Sequence, residues 1–98
     1  ADDENEAVRL TQEILGKDVA LSEKVRLLNS FAGGFFLAGS FTAAKHLLKQ
    51  ALGLDAHDEM TLKNMGYTLA ALGERDAALE LAARMKVPDF GLLVAVRG

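Results

Sequence analysis

The side chains that could do chemistry are few, and their spacing does not bring them together. The two histidines are His46 and His57. His57-Asp58-Glu59 sets carboxylates beside an imidazole. Neighbours along a chain rarely converge on one ion, however, and no second histidine stands at ligand spacing, so no metal site is expected. Both histidines read as solvated, one on a helix exterior and one in a link. Ser22, Ser30 and Ser40 have no histidine and acid set out to activate them, and Ser22 and Ser40 read better as helix caps. Cysteine is absent, which removes thiolate chemistry and disulfides together. No glycine-rich phosphate cradle occurs. The acidic run Asp2, Asp3, Glu4 and Glu6 reads as a solvated N-terminus. No catalytic residue and no cofactor are expected, and the chain reads as a non-enzyme.

Composition narrows the partners. A net charge of -3 argues against a nucleic-acid binder, which would carry a basic face. No apolar run reaches the roughly 18 residues that span a bilayer, so no membrane partner is expected. The acidic start is not an uncleaved signal peptide, and a start without Met is what a processed or excised chain has. The lack of cysteine favours the cytoplasm and leaves the periplasm open. At 98 residues there is room for one core, hence one domain over 1–98. Ala and Leu dominate the apolar half, and the single proline, Pro88, lies near the end; both favour helix.

Apolar spacing predicts about five helices and a C-terminal tail, an all-α fold. The first, over 4–15, places Ala7, Leu10, Thr11, Ile14 and Leu15 on one stripe. The second, over 23–38, turns Val25, Leu28, Phe31, Ala32 and Phe35 inward, with Ser22 as its cap. Gly39 supplies a left-handed turn and Ser40 caps the next helix. That third helix, over 41–52, buries Phe41, Ala44, Leu47, Leu48 and Ala51 and shows Lys45, His46, Lys49 and Gln50 to water. The fourth, over 59–72, is capped by Asp58 or Asp55 and buries Leu62, Met65, Gly66 and Leu69. The fifth, over 74–87, buries Ala77, Ala78, Leu81, Ala82 and Met85 until Pro88 stops it.

A repeat underlies these helices. Shifted by 34 residues, Leu28 meets Leu62, Phe31 meets Met65, Ala32 meets Gly66, Phe35 meets Leu69 and Gly39 meets Gly73. Ala44 likewise meets Ala78, and Leu47 meets Leu81. The matches fall on inward or turn positions. Each helical hairpin needs a small residue at its crossing, here Ala32 or Gly66 against Ala44 or Ala78, and a glycine where the chain reverses. One hairpin cannot bury its own apolar face, so stacking is required.

The segment 62–73 resembles the first helix and turn of a tetratricopeptide repeat, and 74–85, with Ala78 at the small crossing position, resembles the second helix. The segment 48–56 is similar to the family's repeat ending, with Ala56 in place of the usual proline. Leu28 and Leu62 replace the common tryptophan, and Arg75 replaces the aromatic that Phe41 supplies. The resemblance covers copies at 25–58 and 59–92, with a half copy in 1–21. It implies antiparallel hairpins stacked as a right-handed superhelix, with the first helix of each pair lining a concave groove that binds a peptide or helix of another protein.

On that resemblance the groove would be lined by Arg26, Asn29, Gly33, Phe36 and Leu37, then by Lys63, Asn64, Tyr67, Ala70 and Ala71. Phe36 lies off the core stripe, so it either meets a partner or packs against the first helix or the tail. Gly33-Gly34 either opens the groove floor or makes room for the neighbouring phenylalanines, with the second account preferred. Some family members grip a C-terminal carboxylate with Lys, Arg and Asn over three repeats. Lys63 and Asn64 stand in the right helix, but Asn29, Gly33 and Tyr67 do not complete that set. The tail 89–98 carries Phe90, Leu92, Leu93, Val94 and Val96, too apolar to hang in water. It reads as a capping helix started by Asp89, as a self-association patch giving a homodimer, or as a strand. The function expected is a protein-binding scaffold or chaperone-like module; the alternative is a self-association or docking domain of a larger assembly or longer chain.

Overall fold

In a computed structural model of the chain, which describes residues 2–97, every regular element among the described residues is a helix. They are α1 Asp2–Leu15, α2 Leu21–Leu37, α3 Phe41–Leu54, α4 Glu59–Ala71, α5 Arg75–Arg84 and α6 Phe90–Arg97. The tail is thus a sixth helix, not a strand, and Asp89 starts it: its Oδ1 accepts the Leu92 backbone N–H at 3.0 Å.

Two turns set the architecture. At the end of α2, the Ser40 N–H donates to the Phe35 carbonyl at 2.8 Å and the Gly39 N–H to that of Phe36 at 2.9 Å. This is a Schellman closure, and Gly39 takes the positive φ of 83° that it requires. At the end of α4 the same pair recurs, Glu74 to Leu69 at 2.9 Å and Gly73 to Ala70 at 3.0 Å, with Gly73 at φ 80°. The links are too short to carry the chain away, so α3 folds back on α2 and α5 on α4. Helix α3 also packs on α1 and α4, while α6 lies across α4 and α5.

The core holds most of the aliphatic set expected from the spacing, together with Ala43, while Phe35, Phe41, Ala77, Ala82 and Met85 are only half-buried. Leu28, Ala44, Leu47, Leu62 and Ala78 are fully buried, as are Ala7, Leu48 and Ala51 within a percent. Helix α4 buries two threonines as well, Thr61 and Thr68; Thr68 returns its hydroxyl to the Asn64 carbonyl at 2.8 Å. A threonine can satisfy its own hydroxyl one turn back, and so enters a core that the spacing of apolar residues does not mark.

Several expectations fail for physical reasons. Phe31 remains 43% exposed, because α1 packs chiefly on α3 and only lightly on α2. Helix α2 begins at Leu21, with Ala20 at the cap, so Ser22 lies inside the helix and caps nothing. Ser40 does stand at the start of α3, but its hydroxyl donates to the Asp3 carboxylate and not to the backbone. Asp3 therefore ties α1 to the α2–α3 turn, where full solvation was expected. Helix α3 runs on through Leu54, and His46, Lys45 and Gln50 are half-buried. Lys45 reaches Glu74 at 2.8 Å, joining α3 to the next turn. Helix α5 stops at Arg84, three residues before the expected end, and the chain turns under α4: the Lys86 N–H donates to Glu59 Oε1 at 3.0 Å. That early stop lets α6 swing back over α4 and α5.

The crossing glycine Gly66 and the mid-helix pair Gly33-Gly34 also behave differently from the expectation. A Cβ on Gly66 would sit 2.7 Å from Cδ2 of Leu92, so the missing side chain is a notch for α6; the hairpin partner Ala78 is not its nearest neighbour. A Cβ on Gly33 or Gly34 would meet nothing within 4 Å. These two glycines make no room for the phenylalanines.

Candidate functional site

Helices α2 and α4 touch along part of their length and leave a cleft between their outward faces. It has two compartments that meet at Asn64. The wider, about 420 Å³, is bounded by Val25, Arg26, Asn29, Asp58 and Met60 among others. The narrower, about 210 Å³, has Ala32, Leu48 and Thr68 with the walls Gly33, Phe36, Leu37 and Tyr67.

A chain of hydrogen bonds lies beneath the wide compartment. Asn64 Nδ2 donates to Asn29 Oδ1 at 2.8 Å. Asn29 Nδ2 donates to Thr61 Oγ1 at 2.7 Å and to the Val25 carbonyl at 2.9 Å. Thr61 Oγ1 in turn donates to Asp58 Oδ2 at 2.7 Å, the carboxylate oxygen that also accepts the Thr61 N–H and caps α4. Asn29 is buried and its amide is satisfied within the chain, so it holds α2 to α4 and has no free group to offer a ligand. Asp55 is not the cap; its Oδ1 accepts the His57 N–H at 3.1 Å. His57 itself lies exposed in the link, as expected.

The narrow compartment is apolar. Phe36 packs on Phe41 of α3, ring centroids 5.1 Å apart and tilted by 59°, and still forms a wall of the cavity. Tyr67 forms the opposite wall. Its hydroxyl donates to Asp89 Oδ1 at 3.2 Å; burial, then the nearby carboxylate, pushes its pKa up. Leu37 stands at the rim, 88% exposed.

Seven of the ten expected groove residues border this cleft: Arg26, Asn29, Gly33, Phe36, Leu37, Asn64 and Tyr67. Arg26 is exposed and hooked to Glu23 one turn earlier, Nε to Oε1 at 2.6 Å. The other three are placed elsewhere. Lys63 faces away, toward Asp89 at 3.7 Å and a shallow depression with Met60, Val87 and Phe90. Ala70 and Ala71 border neither compartment. Each residue along a helix is rotated by about 100° from the one before, so Lys63 and Asn64 point in different directions.

The expected self-association patch on the tail is split in two. Leu92 and Val96 are buried against the core, while Phe90 and Val94 are 76% and 68% exposed and Leu93 is half-buried. Asp89 anchors this helix. The Leu92 N–H first, then the Tyr67 hydroxyl and the Lys63 ammonium, hold its carboxyl below the usual carboxylate range. The sequence marked Asp89 only as a cap; its bond to Tyr67 depends on how α6 lies on α4.

Among the described residues, no three His, Asp or Glu side chains are grouped to hold a metal ion, and no helix is long and apolar enough to cross a membrane. No family model matches this chain, and neither a curated protein nor a solved structure does.

Proposed function

We propose that this chain is a tetratricopeptide-type repeat domain that binds a segment of another protein in the cleft between α2 and α4, without catalysis of its own. The observation that carries this reading is a two-compartment cleft between two neighbouring helices, with exposed or half-buried side chains such as Arg26, Phe36, Leu37, Asn64 and Tyr67 at its edges. Pockets of this size with apolar walls and a few polar groups at the edge are where proteins take partner side chains. The repeat reading draws support from the matched Schellman turns 34 residues apart and from helices that each pack on the next hairpin. In this reading α6 stands where the first helix of a further repeat would stand, and the pairs stack with a right-handed twist. The cysteine-free composition is in keeping with the cytoplasm.

The test is to pan a displayed library of short peptides against the full chain and map the selected peptides by backbone amide shifts. Changes concentrated at Arg26, Gly33, Leu37 and Asn64 are expected. Peptides that shift α6 alone would transfer the binding role to the tail. That second reading, a docking domain of a larger assembly, is favoured by one observation: Phe90 and Val94 present apolar side chains outward from α6.

A further inference from the structure

We infer that the C-terminal half of α2 is also a self-recognition surface, on which a second copy of this chain seats its Leu37 in the narrow compartment beside Gly33. Three independent observations lead to it. First, a knob and a hole lie side by side. Leu37 is the most exposed of the large apolar side chains, and it borders an apolar cavity of about 210 Å³ that no side chain of the chain fills. An isologous twofold contact needs a patch that is complementary to itself, and a knob next to its own hole is the simplest such patch. Antiparallel crossing of two α2 helices would bring each Leu37 over the other's Gly33.

Second, the glycines at the crossing have no use inside the chain. Mid-helix glycine costs about 1 kcal/mol relative to alanine, and a Cβ at Gly33 or Gly34 would meet nothing within 4 Å. Close approach of a second backbone is a use that the single chain does not supply. Gly66, by contrast, is fully accounted for by Leu92.

Third, the segment that carries Gly33 and Leu37 is free of charge. Positions 27–44 contain no Asp, Glu, Lys or Arg in a chain that is 26% charged. A copy of the same chain opposes each group with its like near a twofold axis, and a net charge of -3 would make most such contacts repulsive. Within 27–44 no like charges meet, and the nearest acid, Asp3, is held by Ser40 at the far end of that segment. The acidic residues Asp2, Asp3 and Glu4 border a separate depression that shares no residue with the narrow compartment. A peptide of unrelated sequence fills a cavity too, but it accounts neither for the adjacent knob nor for the uncharged segment.

Light scattering after size exclusion, on the full chain from micromolar to millimolar concentration, tests the inference without any partner. The expected mass rises with concentration from one chain to two and stops there. Leu37→Asp is expected to remain a single chain throughout, with unchanged helical circular dichroism. Gly33→Leu fills its own compartment from within and replaces glycine with a strong helix former. It is expected to raise the melting temperature while weakening dimerisation by about tenfold or more, opposite effects that a merely structural residue would not give. A single chain at every concentration overturns the inference, as does a dimer that survives Leu37→Asp or growth beyond two chains. Loss of the dimer in Phe90→Asp but not in Leu37→Asp would assign the contact to α6 and overturn it as well. Peptide binding is read separately, so failure here leaves the partner-binding proposal standing.

Discussion

Helix α4 has two flanks, and the chain finishes only one of them. Toward α6, the missing side chain of Gly66 receives Leu92, the Tyr67 hydroxyl meets Asp89, and Leu92 and Val96 are buried. Toward α2, the helices are joined by Asn29, Thr61 and Asn64, yet beyond Asn64 no side chain of the chain fills the space between Phe36, Gly33 and Tyr67. Two neighbouring contacts of one helix thus differ in whether the missing volume has an occupant. A glycine whose absent Cβ would strike a neighbour is a packing device. A glycine whose absent Cβ would strike nothing has its reason outside the chain, or none.

The largest effect that would break this contrast comes from the closed flank. Leu92→Ala removes a fully buried side chain and is expected to cost about 2–3 kcal/mol, read as a lower denaturant midpoint. No loss would mean that α6 is not truly docked. Gly66→Val should come next, because the added branch invades the Leu92 site; a loss of about 1–3 kcal/mol is expected, together with faster amide exchange in α6. On the open flank the sign reverses. Gly33→Ala should stabilise the single chain by about 1 kcal/mol, since helix propensity improves and nothing is displaced. A destabilised Gly33→Ala would show that the flank is filled after all.

The smallest effect is local and depends on pH. The carboxyl of Asp89 is held below its ordinary range in the folded chain, so its contribution is present above the unfolded carboxylate pKa and fades as pH falls through the folded value. Amide protection in α6 is therefore expected to decline in acid, and Asp89→Asn should remove that decline. Equal decline in both would assign the acid response to other carboxylates.

Much of the first level was legible beforehand. Leu28, Ala44, Leu47, Leu62 and Ala78 declared themselves by spacing, because a helix repeats its face every three or four residues whatever it packs on. Gly39 and Gly73 did so too, since a left-handed turn demands glycine locally. Phe31 misled, as its place on the stripe says nothing about whether α1 arrives to cover it. Asn29 misled in the opposite way, for its burial depends on Thr61 and Asn64 more than 30 positions away. Lys63 was assigned to a groove from which its rotation around α4 removes it.

The division reflects the range of the forces involved. Local rules, namely propensity, periodicity, caps at Asp58 and Asp89, and turns at the two glycines, act within a few residues, and by themselves they determined an all-helical chain of hairpins. What covers a given face is decided by which helices meet across the fold. Only the tertiary structure could therefore place Leu92 in the notch of Gly66, bury Asn29 and leave Gly33 beside an empty compartment. One more neighbour in space changes a side chain from exposed to buried without altering any residue near it in sequence.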